Sequence, residues 1–181
     1  GQAIVGTTIS LSGNLDTEIP INGHYVEPFY GYHKVIRSAE IYSWYKRKKS
    51  WRKGWRDSLA SNSRNDKLRQ TLSSDSFYPI RYQLGELIVV PKDIHFVDNF
   101  TSIFPGNLEL TSAGRKSGLK PEDEYYYKHQ GGEYQLGDER ISYRGIPNNA
   151  NASYFGLIAE NSAIGKQFDI RLSFISAIIE N

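Results

Sequence analysis

Positions 34–47 hold no glycine or proline and are rich in Val, Ile, Tyr and Trp, a composition that predicts a β-strand. Side chains of a strand point alternately to its two faces. Ile36, Ser38, Glu40, Tyr42 and Trp44 therefore share one face, and Val35, Arg37, Ala39, Ile41, Ser43 and Tyr45 share the other. Apolar residues occur in both sets, so the pattern predicts a central strand covered on both sides. A second arm over 50–57 sets Trp51, Lys53 and Trp55 on one face, with Lys48, Lys49 and Ser50 as the turn. That turn does not specify a register. The pairing that gathers Trp44, Trp51 and Trp55 on the face of Tyr42 is expected, because clustered aromatics bury more area and add roughly 0.5–1.5 kcal/mol per ring pair. In that arrangement Trp44 and Trp55 are expected to be largely buried.

Elsewhere the pattern predicts more strands than helices. Residues 4–11 read as a first strand, and 14–33 as an irregular approach with two Pro and two Gly. Residues 58–76 are polar, and the helical spacing of Leu68 and Leu72 predicts a loop with a short helix. Strand character returns over 80–90. Pro91 suits a first helical turn, Asp93 suits the helix dipole, and Ile94, Val97 and Phe100 share a helical face, so 91–100 is expected to be a short amphipathic helix. The glycines of 101–121 predict a long surface loop. Segments 124–130, 139–146 and 154–159 read as strands, with Gly131-Gly132 and Gly137-Asp138 as punctuation. From 168 onward, Phe168, Ile170, Leu172 and Phe174 alternate as a strand would, while Phe168, Leu172, Ile175 and Ile179 suit a helix.

Composition agrees with one mainly β domain. The chain has 181 residues, of which 13 are Tyr, 8 Phe and 16 Gly. It has no Cys, which excludes disulfide scaffolds, thiolate metal sites and cysteine nucleophiles. It has no Met either, which predicts a domain cut from a longer protein or a processed product. The longest apolar run, 174–179, is well short of the roughly 18–20 residues of a membrane span. Net charge is only +2, but residues 46–56 hold seven Lys or Arg and no acid. The rest of the chain sets 15 basic residues against all 20 acidic ones.

Candidate chemistry is sparse. His24, His33, His95 and His129 lack metal-ligand spacing and read as hydrogen-bonded or solvated histidines. There is no Gly-x-Ser-x-Gly elbow, and the Gly-Lys pair near 165 lacks a phosphate loop. Glu122, Asp123 and Glu124 read as a solvated turn. Glu40 is the one carboxylate set among Ile36, Tyr42 and Trp44. Desolvation there could make it a base, and the simpler reading is a structural ion pair with Arg140 or Arg144. Asn99 and Asn151 open glycosylation sequons.

Two stretches together resemble the transmembrane protein 43 (LUMA) family. One is IRSAEIYSW (36–44) with Trp55-Arg56-Asp57. The other is YYYKHQGGEYQLGDERISYRGIP (125–147), continuing through SYFGLIAEN and GKQF. The resemblance covers about a third of the chain, in order. It departs from the family at KRKKSWRK, where acidic residues and a longer excursion usually follow the Trp. It implies the soluble domain of a membrane-anchored protein, luminal or extracytoplasmic (periplasmic in a bacterium), with 168–181 as the membrane-proximal end.

The resulting expectation is an α+β, mainly β chain, 1–181 forming a single domain of antiparallel hairpin-based sheets with one or two short helices and long surface loops. Its expected role is a non-enzymatic interaction domain with no cofactor. The expected binding residues are Lys46, Arg47, Lys48, Lys49, Trp51, Arg52, Lys53 and Arg56, at a basic hairpin tip facing anionic lipid or a partner. The partners expected are the membrane, and a protein or a second copy of the chain. The alternatives are a hydrolase-like enzyme using Glu40 and, less favoured because the remainder is acidic, a nucleic-acid-binding module using the tip.

Overall fold

A computed structural model describes residues 8–13, 15–17, 19–84, 87–89, 94–96, 100–148, 152–164 and 167–179, with side chains described over 17, 19–82 and 100–148. The strands in chain order are β1 (Thr8–Gly13), β2 (Leu15–Asp16), β3 (Val26–Glu27), β4 (Tyr32–Arg47), β5 (Ser50–Arg56) and β6 (Asp75–Phe77). Then come β7 (Tyr82–Leu84), β8 (Leu87–Val89), β9 (Ile94–Phe96), β10 (Thr101–Ile103) and β11 (Glu109–Leu110). The last five are β12 (Lys120–Glu122), β13 (Tyr125–Lys128), β14 (Glu139–Pro147), β15 (Ala152–Ile164) and β16 (Gln167–Ile179). A 3-10 turn at Ser63–Asn65 and one short helix, α1 (Ser112–Lys116), are the helical elements among the described residues. The fold is mainly β and mainly antiparallel, as the alternating pattern predicts.

One sheet runs β12-β13-β14-β4-β5, with β6 also pairing with β4 and β10 with β14. A second runs β1-β15-β16-β8-β7-β2, with β9 also on β16. Its β8 and β9 lie parallel to β16, the exceptions to the antiparallel rule. Tyr82, at the start of β7, donates its hydroxyl to the carbonyl of His33 in β4, a contact between the two sheets. Among the described residues no helix is long and apolar enough to cross a membrane.

Several local expectations are corrected. Leu68 and Leu72 lie outside any helix; the one turn of helix in that segment is at Ser63–Asn65. Leu72 is instead held by the buried Glu139 carboxylate, which accepts from the Thr71 and Leu72 backbone N–H groups at 2.7 and 2.8 Å. Ile94–Phe96 is a strand paired parallel with β16 and not part of a helix, while 91–93 and 97–99 lie outside the described residues. The stretch 80–90 divides into the hairpin β7–β8. The expected loop over 101–121 contains β10, β11, α1 and β12. The C-terminal ambiguity resolves to the long strand β16. Positions 4–7, Asn99 and Asn151 lie outside the described residues.

The main core sits on the odd-numbered face of β4. Val35, Ala39 and Ile41 are buried there, together with Ile141 and Tyr143 of β14 and Tyr126 of β13. Ile21, Val26, Phe29, Ile103 and Leu119 close over them. Apolar burial of this kind stabilises by about 25 cal/mol per Å². Arg37 lies on the same face, stacked on Tyr25 and Phe77 with its guanidinium 4.5 and 5.3 Å from the ring centres. Its Nε donates to the Ser73 carbonyl at 2.7 Å. Burial pushes the Tyr143 phenol well above its ordinary value, against the opposing Arg37 charge.

The tryptophan prediction is half corrected. Tyr42 pairs with Trp55, Trp44 with Lys53 and Lys46 with Trp51, so the three tryptophans do share the face of Tyr42. That face is the outer one, and Trp44, Trp51 and Trp55 are half-buried rather than core residues. Central as it is, β4 is thus fully covered on one side only.

Candidate interaction surface

Residues directly opposite in a ladder share a face. Tyr127 of β13, Arg140 of β14 and Glu40 of β4 form one such row on the outer face of the first sheet. Tyr42 with Trp55, Trp44 with Lys53, and Lys46 with Trp51 form the next three. The outer face is therefore a strip of aromatic rings alternating with charges, running to the end of the hairpin.

Arg140 anchors its inner end. Its Nε donates to Glu40 Oε1 at 2.8 Å. Its guanidinium lies 4.2 Å from the Trp55 ring centre and 3.9 Å from that of Tyr125, where cation and ring quadrupole attract. Burial raises the Tyr125 phenol, and the Arg140 charge opposes that shift. Glu40 is thus spent on a structural pair, the simpler of the two roles expected for it.

Toward the tip, the neighbours of β4 drop away one by one. Its last β14 partner is Glu139, opposite Ile41. Tyr42 then exchanges backbone hydrogen bonds with Gly137 and Asp138. At Trp44 a side chain replaces a strand: Asn65 Oδ1 accepts from the Trp44 N–H at 3.0 Å, and Asn65 Nδ2 donates to the Trp44 carbonyl at 2.9 Å. The same turn sets Arg64 over both Trp44 and Trp51, 4.8 Å from each ring centre. Lys53 lies 5.2 Å from Trp44 and Lys46 lies 5.5 Å from Trp51. Beyond Trp44, no other segment bonds to the β4 backbone on that edge among the described residues.

The hairpin closes through the two-residue turn Lys48-Lys49, between the Arg47–Ser50 pair. Lys48 adopts φ 58°, a left-handed conformation that normally favours Gly or Asn. On the back of the ribbon, Tyr45 lies across Gly54, where a Cβ would sit 3.2 Å from its ring. Arg56 stacks on the same Tyr45 at 4.3 Å.

The eight predicted binding residues therefore separate. Lys46, Arg47, Lys48 and Lys49 converge at the tip. Lys53 and Trp51 lie on the tryptophan face, and Arg52 and Arg56 on the back. All seven cations are exposed, and none pairs with a carboxylate among the described residues.

A second feature escaped the sequence reading. A cleft of about 430 Å³ is lined by Tyr42, Glu122, His129, Gly132, Glu133 and Tyr134. Its wall is the loop 129–138, which the buried Asp138 carboxylate holds in shape. That carboxylate accepts from the Gln130 and Gln135 N–H groups at 2.7 and 2.9 Å, and from His129 Nδ1 at 3.1 Å. Accepting there orients the imidazole with its proton on Nδ1. Tyr127 stacks on His129, with ring centres 4.9 Å apart, and on Tyr134 at 5.9 Å. Burial pushes the Tyr127 phenol up to about 12, helped by the Tyr134 hydroxyl and opposed by Arg140. The available signal was the pair of glycine punctuations that bracket this loop.

His24 and His33 do not join His129 in any cluster of three or more potential metal ligands. His24 is exposed against Tyr25, His33 is buried in β4, and the side chain of His95 is outside the described set. Among the described residues no cluster of three or more His, Cys, Asp or Glu could hold a metal ion. The acidic turn at 122–124 is solvated for the most part, with Asp123 at φ 54°. Comparison with protein-family models, with curated proteins and with solved structures returns no match.

Proposed function

We propose that this chain is a non-enzymatic contact domain of a membrane-anchored protein, and that its β4–β5 tip meets the anionic lipid head groups beside that membrane. One observation carries the reading. Lys46, Arg47, Lys48 and Lys49 stand beyond the last flanking partner of β4, exposed and without a carboxylate partner among the described residues. Each Lys or Arg near an anionic surface contributes about 1 kcal/mol, decaying within a Debye length of about 8–10 Å. Four such charges give weak, salt-sensitive binding, which suffices for a domain tethered nearby. Trp51, half-buried beside Lys46 and Arg64, suits the head-group level. The membrane setting rests on the family resemblance of 36–44 with 55–57, and of 125–147.

The competing readings fit less well. As the end strand of its sheet, β5 needs charge to discourage edge pairing, and Arg52, Lys53 and Arg56 serve that need. Lys48 and Lys49 lie in the turn, off that edge, so edge protection leaves them unexplained. Nucleic-acid bases would have to displace Arg64, Lys46 and Lys53 from the tryptophan faces in order to stack. A hydrolase reading would need Glu40 as its base, and that carboxylate already accepts from Arg140.

Co-sedimentation with vesicles tests the proposal. Binding is expected to anionic vesicles at low salt, to weaken at moderate salt, and to be absent from neutral vesicles. Replacing Lys46, Arg47, Lys48 and Lys49 by Ser should abolish it. No binding to anionic vesicles at low salt, or binding that survives those replacements, would overturn the assignment.

A further inference from the structure

A different surface, the cleft beside the loop 129–138, carries a second inference that does not depend on the tip. Its lining is aromatic and acidic: the rings of Tyr42 and Tyr134, the His129 imidazole, and the carboxylates of Glu122 and Glu133. Tyr134 keeps half its surface exposed although its ring packs on Trp55 at 5.3 Å and on Tyr42 at 6.0 Å. No cation pairs with Glu122 or Glu133 among the described residues. The wall is tied by the buried Asp138, whose carboxylate accepts from His129, Gln130 and Gln135.

The same sheet shows what such a lining attracts. In the ladder row next to Tyr42, Arg140 satisfies an equivalent environment from within: two aromatic faces, Trp55 and Tyr125, and one carboxylate, Glu40. At the tip, Arg64 lies against two tryptophan rings in the same way. On this outer face Trp44, Trp51, Trp55 and Tyr125 each have a cation of the chain against the ring. At the cleft the rings and carboxylates are present and the chain supplies no Lys or Arg to the lining.

We propose that the cleft is a binding site for an organic cation, a guanidinium or alkylammonium group carried by a ligand. Tyr42 and Tyr134 would offer their electron-rich faces, and Glu122 and Glu133 would neutralise the charge. A preformed wall lowers the ordering cost of binding. The ring faces favour a soft, weakly hydrated cation over a sodium ion.

The test is a titration of the whole chain followed by NMR of the backbone amides of 129–135. The probes are argininamide and choline, with sodium chloride at equal ionic strength and maltotriose as controls. Saturable shifts confined to this loop are expected with at least one cationic probe, and which probe does so distinguishes guanidinium from quaternary ammonium. The double change Glu122→Gln with Glu133→Gln should weaken that binding by about tenfold, as should Tyr134→Ala. Replacing the four tip cations by Ser should leave it unchanged, which separates this site from the lipid contact. Shifts that sodium chloride reproduces, saturation by maltotriose alone, no saturation with either cation, or full affinity in the double Gln variant would each overturn the proposal. An unchanged melting temperature in the Gln variant confirms that loss of binding is not loss of fold.

Discussion

The two faces of β4 hold similar numbers of apolar side chains and behave differently. On the inner face Val35, Ala39 and Ile41 lie beside Ile141 and Tyr143 of β14, sealed beneath the segments around Phe29 and Leu119. On the outer face the larger Tyr42 and Trp44 stay half-exposed, each within a row of rings and cations. Ring size does not decide which face becomes core. The inner face is core because the segments around Phe29 and Leu119 close over it, large Tyr126 and Tyr143 included. The outer tryptophans need only a guanidinium or ammonium group beside them, which leaves part of each ring in water. A face built that way can meet a further partner without unfolding anything.

The comparison predicts unequal costs of truncation. Ile141→Ala on the inner face should destabilise by about 2–5 kcal/mol through the cavity it leaves. Trp44→Ala on the outer face should cost less, about 1–2 kcal/mol, since its ring loses partly hydrated contacts with Lys53 and Arg64. Denaturant melts of the two variants check this. An equal or larger loss in the Trp44 variant would mean that the outer face is a second core.

Alkaline titration probes the inner face again. Burial pushes the Tyr126 phenol up to about 12, and its hydroxyl has no hydrogen-bond partner. The fold therefore favours the neutral phenol more than the unfolded chain does. That stability is complete below the ordinary value of 10.0 and is lost as pH rises toward 12. The loss should be about 2–3 kcal/mol for this group. Tyr126→Phe should remove that part of the alkaline loss while leaving stability near neutral pH unchanged or slightly higher. An alkaline profile identical to that of the parent chain would show that Tyr126 does not titrate in this window.

The smallest effect belongs to the turn. Lys48→Gly should stabilise by about 0.5–1 kcal/mol, because Gly adopts the positive φ of this position without steric cost. It should also weaken anionic-vesicle binding by the share of one charge. A destabilised variant would indicate that the Lys48 side chain makes contacts that hold the turn.

Period-two alternation was enough to read β4, β5, β13 and β14, and aromatic clustering was enough to place the three tryptophans on one face. Alternation cannot say which face is covered, since that depends on the distant segments around Phe29 and Leu119. The helix expected over 91–100 shows a similar limit. Ile94, Val97 and Phe100 have helical spacing, yet Ile94–Phe96 lies parallel to β16, a partner some eighty residues away. The basic tip was legible because its charges are consecutive. The cleft was not, because Tyr42, Glu122 and the loop 129–138 come from three separate stretches and Asp138 acts only through hydrogen bonds of the folded loop.

The central claim is that the tip, and not the rest of the surface, touches the anionic bilayer. The chain has no cysteine, so a single introduced thiol carries a label cleanly. An environment-sensitive fluorophore would be placed at Ser50→Cys, exposed beside the turn, and separately at Ser112→Cys, exposed on α1. Added anionic vesicles should shift the emission of the Ser50 label to the blue, with no change for neutral vesicles or for the Ser112 label. Equal responses at the two positions, or none at Ser50 while the chain co-sediments, would contradict it.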